Sequence, residues 1–368
     1  MSDTSTDSNG RNSRLMDGIT ASVLSTPRLR ANVLERRVDT AGATVVFVHG
    51  NVSSSLFFQP SMLALPSDIR AVAVDLRGFG ESQTLPVDAT RGLRDYADDV
   101  WSVVDALGIA SVHLVGWSMG AGVVMQQLLD RADDVASLTL ISPVSPYGFG
   151  GTTGADGRVL TPDNAGTGAG GANPDFVQRI QDGDRTADAP TSPRAVFRSS
   201  YVAAGYSSEL EDLWVESMLS TAIGSGNYPG DSVPSESWPG FAPGEHGVLN
   251  TMAPKYLNLT GIVDLADKPP ILWVRGEQDA IVGDESYFDL NMLGKVGVIP
   301  GWPGEDVAPP QPMVTQTRHV LERYRAAGGR YRELAIADCA HSPHLEHQDL
   351  FVSALVDQVG KATPRQAT

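Results

Sequence analysis

Residues 111–130, SVHLVGWSMGAGVVMQQLLD, constrain the fold more than any other stretch of this chain. The first seven, SVHLVGW, carry no formal charge and suit a strand covered on both faces. The last ten, AGVVMQQLLD, suit a helix, and only the overlapping pentapeptide GWSMG (116–120) joins the two. A strand that becomes a helix without a loop belongs to a strand–turn–helix unit. Comparable β-branched runs recur at 44–48 (TVVFV), 71–75 (AVAVD), 137–142 (SLTLIS), 269–279 (PPILWVRGEQD) and 332–337 (RELAIA). Between the second and third strands Leu93, Tyr96, Val100, Val103 and Leu107 fall at helical spacing, with Asp95, Asp98, Asp99 and Asp105 turned elsewhere. The alternation predicts an α/β fold whose mostly parallel central sheet carries helices on both faces.

The rhythm stops after the run at 137–142. Residues 145–268 open with nine glycines between Gly148 and Gly171, then offer a helix around 207–222 and scattered aromatics, including Phe197, Tyr201, Trp214, Tyr228, Trp238 and Phe241. This stretch reads as an inserted, mainly helical cap, with 19–144 and 269–368 as two halves of one core and residues 1–18 as a mobile polar tail. The segment 293–312, LGKVGVIPGWPGEDVAPPQP, is too long for an ordinary strand–helix connection and reads either as a pocket border or as a subunit contact.

Among 368 residues, 44 acidic against 27 basic side chains give a net charge of −17, a field that disfavours nucleic acid as a partner. A single cysteine, Cys339, cannot close an internal disulfide, and no apolar run reaches the ~18 residues of a membrane span. The expectation is a cytoplasmic protein with no membrane partner, acting on a small molecule.

The chemistry begins at Ser118. A serine at a tight strand-to-helix turn is held in a strained conformation, and the helix after it directs the positive end of its dipole toward a developing oxyanion. A hydroxyl needs a base, and His341, in DCAHSPHLEH just after the strand at 332–337, falls at the same sheet edge. His344 and His347 read as surface or packing residues. A carboxylate must orient the imidazole. Asp279, which follows the strand at 271–275 after a short GEQ turn, suits that role better than Asp264 and Asp267, which precede the strand, or Asp284 and Glu285, which need a longer reach. A metal site built on Cys339, His341, His344 and His347 is disfavoured because Pro343 breaks the ligand spacing, so no metal or other cofactor is expected. Trp117, beside the nucleophile, is assigned to substrate contact.

The order Ser118, Asp279, His341, with HGN at 49–51 and DLRGFGES at 75–82, resembles the α/β-hydrolase family of esterases, lactonases and perhydrolases from about Ala31 to Gly360. One departure is Ala340, where many relatives have glycine. The resemblance implies an oxyanion hole made by the backbone N–H of Met119 and of Asn51 or Val52, with His49 and Gly50 shaping the loop and Asp75, Arg77 and Gly78 as structural turn residues. It implies hydrolysis of a carboxylic ester or lactone of a moderately hydrophobic small molecule through an acyl-enzyme. A serine nucleophile disfavours the dehalogenases that share an HGN loop, because its alkyl product would be an ether that water cannot open. Carbon–carbon bond hydrolysis and cofactor-free perhydrolysis use the same triad and remain alternatives, as does a ligand-binding relative without turnover.

Overall fold

A computed structural model describes residues 14–38 and 42–362. Eight strands form the main sheet: β1 (Thr20–Ser25), β2 (Arg30–Arg36), β3 (Ala43–Val48), β4 (Ile69–Val74), β5 (Val112–Trp117), β6 (Val135–Ile141), β7 (Ile271–Gly276) and β8 (Tyr331–Ile336). Their order is β1-β2-β4-β3-β5-β6-β7-β8; β1 and β2 run antiparallel to their neighbours and every other pairing is parallel. The longer helices are α1 (Arg94–Ala106), α2 (Met119–Asp130), α3 (Pro174–Gln181), α4 (Glu211–Leu219), α5 (Met313–Ala326) and α6 (Gln348–Lys361). Every residue of β5 and β6 is buried, because α2 packs on β5 and β6 while α6 packs on β6 and β7. β1 is mostly exposed, as an edge strand rich in Ser and Thr tolerates.

One sequence expectation changes in detail, and two local features add to the reading. Residues 14–18, assigned to the tail, are packed: Leu15 and Met16 lie against the core, the Met16 N–H donates to Gln59 Oε1 at 2.8 Å, and Gln59 Nε2 donates to the Arg14 carbonyl at 2.9 Å. Residues 1–13 lie outside the described residues. The acidic side of α1 is covered at two of its four positions. Asp95 and Asp99 are buried, and Arg77 donates Nε to Asp99 Oδ2 at 2.6 Å and Nη2 to Oδ1 at 2.8 Å, while Arg28 Nε reaches Oδ1 at 2.6 Å. After His341 a single helical turn (Pro343–Glu346) ends at His347 before α6 begins.

Between β6 and β7 the insert contains α3, α4, shorter helical turns and three two-stranded β pairs. The 293–312 segment packs against it: Trp238 Nε1 donates to the Pro300 carbonyl at 3.0 Å. Gln311 holds the glycine-rich opening, accepting the Gly150 N–H and donating to the Gly148 carbonyl at 3.0 Å. Gln316 extends that buried network to Ser145 and Thr152, at 2.7 and 3.0 Å.

Two predictions follow from buried charge and buried imidazole. Asp99→Ala leaves Arg77 and Arg28 only their longer pairs with Asp95 and Asp98 and is expected to lower stability by about 3 kcal/mol, read as a shifted urea midpoint with unchanged slope. His344 is enclosed by Phe58, Trp117 and Phe351, and burial pushes its pKa down to about 3; burial holds His113 near 4 and also lowers His49. The unfolded chain takes up these protons near pH 6.5, so stability is complete above that value and falls as the pH drops toward the folded values. Each of His113 and His344 is expected to cost about 2 kcal/mol between pH 7 and pH 5. His344→Phe should flatten that part of a pH series of urea midpoints; an unchanged slope would contradict the assignment.

Candidate active site

The turn after β5 is built by crowding. A Cβ at Gly116 would lie 2.3 Å from the Gly120 carbonyl oxygen, and one at Gly120 would lie 2.3 Å from that of Val48 and 2.4 Å from that of His49. Both glycines of GWSMG are therefore required by the close passage of β5, α2 and the end of β3. Ser118 takes φ 57° and ψ −119°, a left-handed conformation that a serine adopts only when its surroundings impose it. They do: its N–H donates to the Ile141 carbonyl at 2.9 Å, and its own carbonyl accepts from Ala121 and Val144 at 3.1 and 3.2 Å. Met119 is the first residue of α2, where backbone N–H groups lack intrahelical acceptors.

The HGN loop faces this turn. His49 is fully buried; its Nε2 accepts the Leu76 N–H at 3.0 Å, so Nδ1 carries the proton and meets the Gly50 carbonyl at 2.8 Å and Ser53 Oγ at 3.2 Å. The imidazole thus pins the loop to the chain just past β4. At Gly50 a Cβ would stand 3.0 Å from the Ser118 Cβ. Val52 has φ 46°, a second strained residue at the same edge. Asp75 holds the facing turn, its carboxylate accepting from Ser55 N–H and Asn32 Nδ2 at 2.8 Å and from Glu81 N–H at 2.9 Å.

His341 lies on the loop after β8, and its Nδ1 is 2.8 Å from Asp279 Oδ2, with both side chains only 2% exposed. The other carboxylate oxygen accepts the N–H groups of Ile281 and Val282 at 2.8 and 2.9 Å. Of the carboxylates weighed from sequence, this is the one bonded to His341; Asp284 instead accepts from the Thr315 N–H and hydroxyl at 3.0 and 2.6 Å. The crossing of the acid and histidine loops needs Gly276, whose Cβ would fall 2.1 Å from the Ala340 carbonyl oxygen.

Ser118, His341, Asn51, Val52 and Trp117 line one cavity of about 350 Å³. Trp117 shares that wall, but its indole N–H is engaged with the His341 carbonyl at 2.8 Å, so its place in the histidine loop is as firm as its place in the wall. The remainder is mostly apolar and comes from the insert (Phe149, Phe176, Val196, Tyr201, Tyr228) and from the connection after β7 (Ile281, Val282, Tyr287, Phe288, Leu293). The irregular stretch starting at Leu293 thus meets the cavity at its first residue. Asp289 is the buried acid of the wall; burial raises its pKa to about 6, although its oxygens accept from Asn291 N–H at 3.1 Å and Gln311 N–H at 2.7 Å.

Tyr201, Glu346 and Asp289 escape a reading of the sequence as site residues. Tyr201 stands among insert aromatics with no pattern to single it out. Glu346, four residues after Ser342, carries a local signal resembling a capping box displaced by one position. Among the described residues, no group of three or more His, Cys, Asp and Glu side chains is gathered to hold a metal ion, and no helix is long and apolar enough to cross a membrane.

Comparison with known proteins agrees with this architecture. The chain is 30% identical over 104 residues to the carboxylesterase YbfK of Bacillus subtilis, covering 28% of this chain and 35% of that one. It is 36% identical over 113 residues to the probable lysophospholipase BODYGUARD 3 of Arabidopsis thaliana, covering 29% and 22%. These matches span about a third of the one relative's length and less than a quarter of the other's. Among solved structures, carboxylesterase CesB (YbfK) of B. subtilis superposes with a TM-score of 0.58 at 15% identity over 95% of both chains. A variant of the N-acyl homoserine lactonase AidH does so with 0.52 at 19% identity, over 95% of this chain and 99% of that one. At such identities the likeness is one of fold. The profile of the alpha/beta hydrolase fold matches residues 43–293, more than half of the chain, ending where the second irregular stretch begins and short of His341; the chain belongs to the α/β-hydrolase family.

Proposed function

We propose that this chain is a serine hydrolase that cleaves the carboxylic ester or lactone of a moderately hydrophobic small molecule through an acyl-enzyme. The observation that carries the reading is the 2.8 Å bond between His341 Nδ1 and Asp279 Oδ2 beside a strained Ser118 that lines the same cavity as His341. With Nδ1–H donated to the carboxylate, Nε2 of the neutral ring is free to accept the Ser118 proton. Ser118 Oγ then attacks the ester carbonyl. The imidazolium returns its proton to the departing alcohol, and a water activated by the same nitrogen opens the acyl-enzyme to release the acid. The N–H groups of Met119 and of Asn51 or Val52 would receive the oxyanion; losing one such donor commonly costs ~10²–10³ in rate. The apolar cavity wall suits an uncharged acyl or alcohol group, and the carboxylesterase name of a relative supports ester chemistry. A cytoplasmic location remains part of the same proposal.

Ser118→Ala is expected to lower turnover of p-nitrophenyl butyrate by up to ~10⁶, with no burst of p-nitrophenol. Activity persisting in that purified variant would sink the assignment. Asp279→Asn makes a finer test. Its amide oxygen would stay with the Ile281 and Val282 N–H groups, turning the NH₂ toward His341 Nδ1 and driving the ring proton onto Nε2. The ring would then face Ser118 as a donor, and kcat should fall by about 10⁴ without loss of fold. Wild-type kcat in this variant would exclude Asp279 as the orienting acid.

A further inference from the structure

A short piece of the insert touches both loops that the proposed mechanism needs. The Tyr201 hydroxyl is 3.2 Å from the carbonyl oxygens of Asn51 and Val52. Two residues on, the Ala203 N–H donates to Glu346 Oε2 at 2.7 Å. The Glu346 carboxylate also takes the two peptide N–H groups that flank His341: Ala340 at 3.0 Å to Oε1 and 3.2 Å to Oε2, and Ser342 at 3.2 Å to Oε1. Val202, between the two anchors, is buried and extended, with φ −132° and ψ 156°, leaving little slack.

Capping of the turn at 343–346 accounts for the bonds to Ala340 and Ser342, which are local. It does not account for Ala203, 143 residues away in sequence, whose N–H donates the shortest of these bonds. Nor does packing of the insert account for a tyrosine whose hydroxyl is spent on the backbone of the HGN loop while its ring stands edge-on to His341, at 6.1 Å, and to Trp117, at 5.7 Å. Because a trans peptide holds its N–H opposite its C=O, anchoring the Asn51 carbonyl also fixes the direction of the Val52 N–H. A carboxylate accepting backbone N–H groups makes bonds roughly twice as strong as neutral ones, so the other anchor is the firmer of the two.

We propose that Tyr201–Ala203 is a brace that sets the separation of the oxyanion loop from the histidine loop, with Tyr201 and Glu346 as positioning residues at its two ends. The inference rests on the proposed roles of Ser118 and His341. A brace carries load only while both ends are attached, so cutting either end slackens both loops and cutting the second adds little.

Tyr201→Phe removes one hydroxyl. Glu346→Gln keeps the shape but offers one acceptor oxygen, so its NH₂ must face either Ala203 N–H or the N–H groups beside His341. With p-nitrophenyl butyrate, each single variant is expected to lose about 10- to 100-fold in kcat with KM within about threefold, given that a misplacement of ~1 Å can cost ~10². The double variant should be no more than about threefold worse than the poorer single. Losses that multiply, or wild-type kcat in either single, would overturn the brace. Amide hydrogen exchange gives a readout free of turnover: Tyr201→Phe should accelerate exchange at 340–342, and Glu346→Gln should accelerate it at 51–54. Exchange confined to the severed end would also overturn the proposal. Thermal unfolding of all four proteins separates these effects from a loss of folded material. Fluorophosphonate labelling of Ser118 keeps the two readings apart. Coupled exchange in a chain whose Ser118 is not labelled would leave the brace standing and the serine hydrolase reading fallen, and labelling with uncoupled exchange and multiplying losses would do the reverse.

Discussion

The structure depends on a place where three chain segments pass too closely for a methyl group. Around Ser118 the carbonyls of Val48, His49 and Gly120 occupy the positions that Cβ atoms at 116 and 120 would need. That crowding presses α2 against the end of β3, and it forces the serine into a left-handed conformation it would not choose. A looser turn would let the serine relax toward the helix and turn its hydroxyl away from the cavity. Close packing of backbone against backbone is thus what converts a strand, a turn and a helix into a serine held at the cavity wall.

Around that point polar groups are held by neighbours that leave them one orientation. His49 is neutral with its proton on Nδ1, because Nε2 is occupied by the Leu76 N–H. Asp279 has one oxygen bound by two backbone N–H groups and the other by His341. Asp75 meets three donors from three parts of the chain. Each arrangement spends a buried charge or dipole on fixing a loop, which is the condition under which buried polarity is tolerable.

What could be read from the sequence, and what could not, divides along range of interaction. Six of the eight strands, the crossover helix and the GWSMG turn are written in local β-branched runs and a 3.6-residue period, and Ser118, Asp279 and His341 could be chosen by their place after strands. The pairing of Asp95 and Asp99 with Arg28 and Arg77 could not, because a helical wheel places those acids off the apolar face without showing that a guanidinium from another loop covers them. Nor could the packing of residues 14–18, whose partners are Gln59 and the core. The bonds from Tyr201 and Ala203 join residues about 150 positions apart, through an insert whose glycines and short β pairs carry no periodic signal.

The connection between Asp279 and α5 also bears on how such a chain can diversify. Its first three residues secure the acid, and everything from Ile281 to Leu293 that faces inward forms wall. Gln311 fastens the far end to the glycine-rich opening of the insert. Between these two moorings the fixed points are Asp284, bonded to Thr315, and Asp289, bonded to the Gln311 N–H, while the sheet and the Asp279–His341 pair lie outside the segment. Wall and polar groups are therefore carried by separate stretches of chain: drift in one short region can remake the chamber while Ser118, Asp279 and His341 stay put.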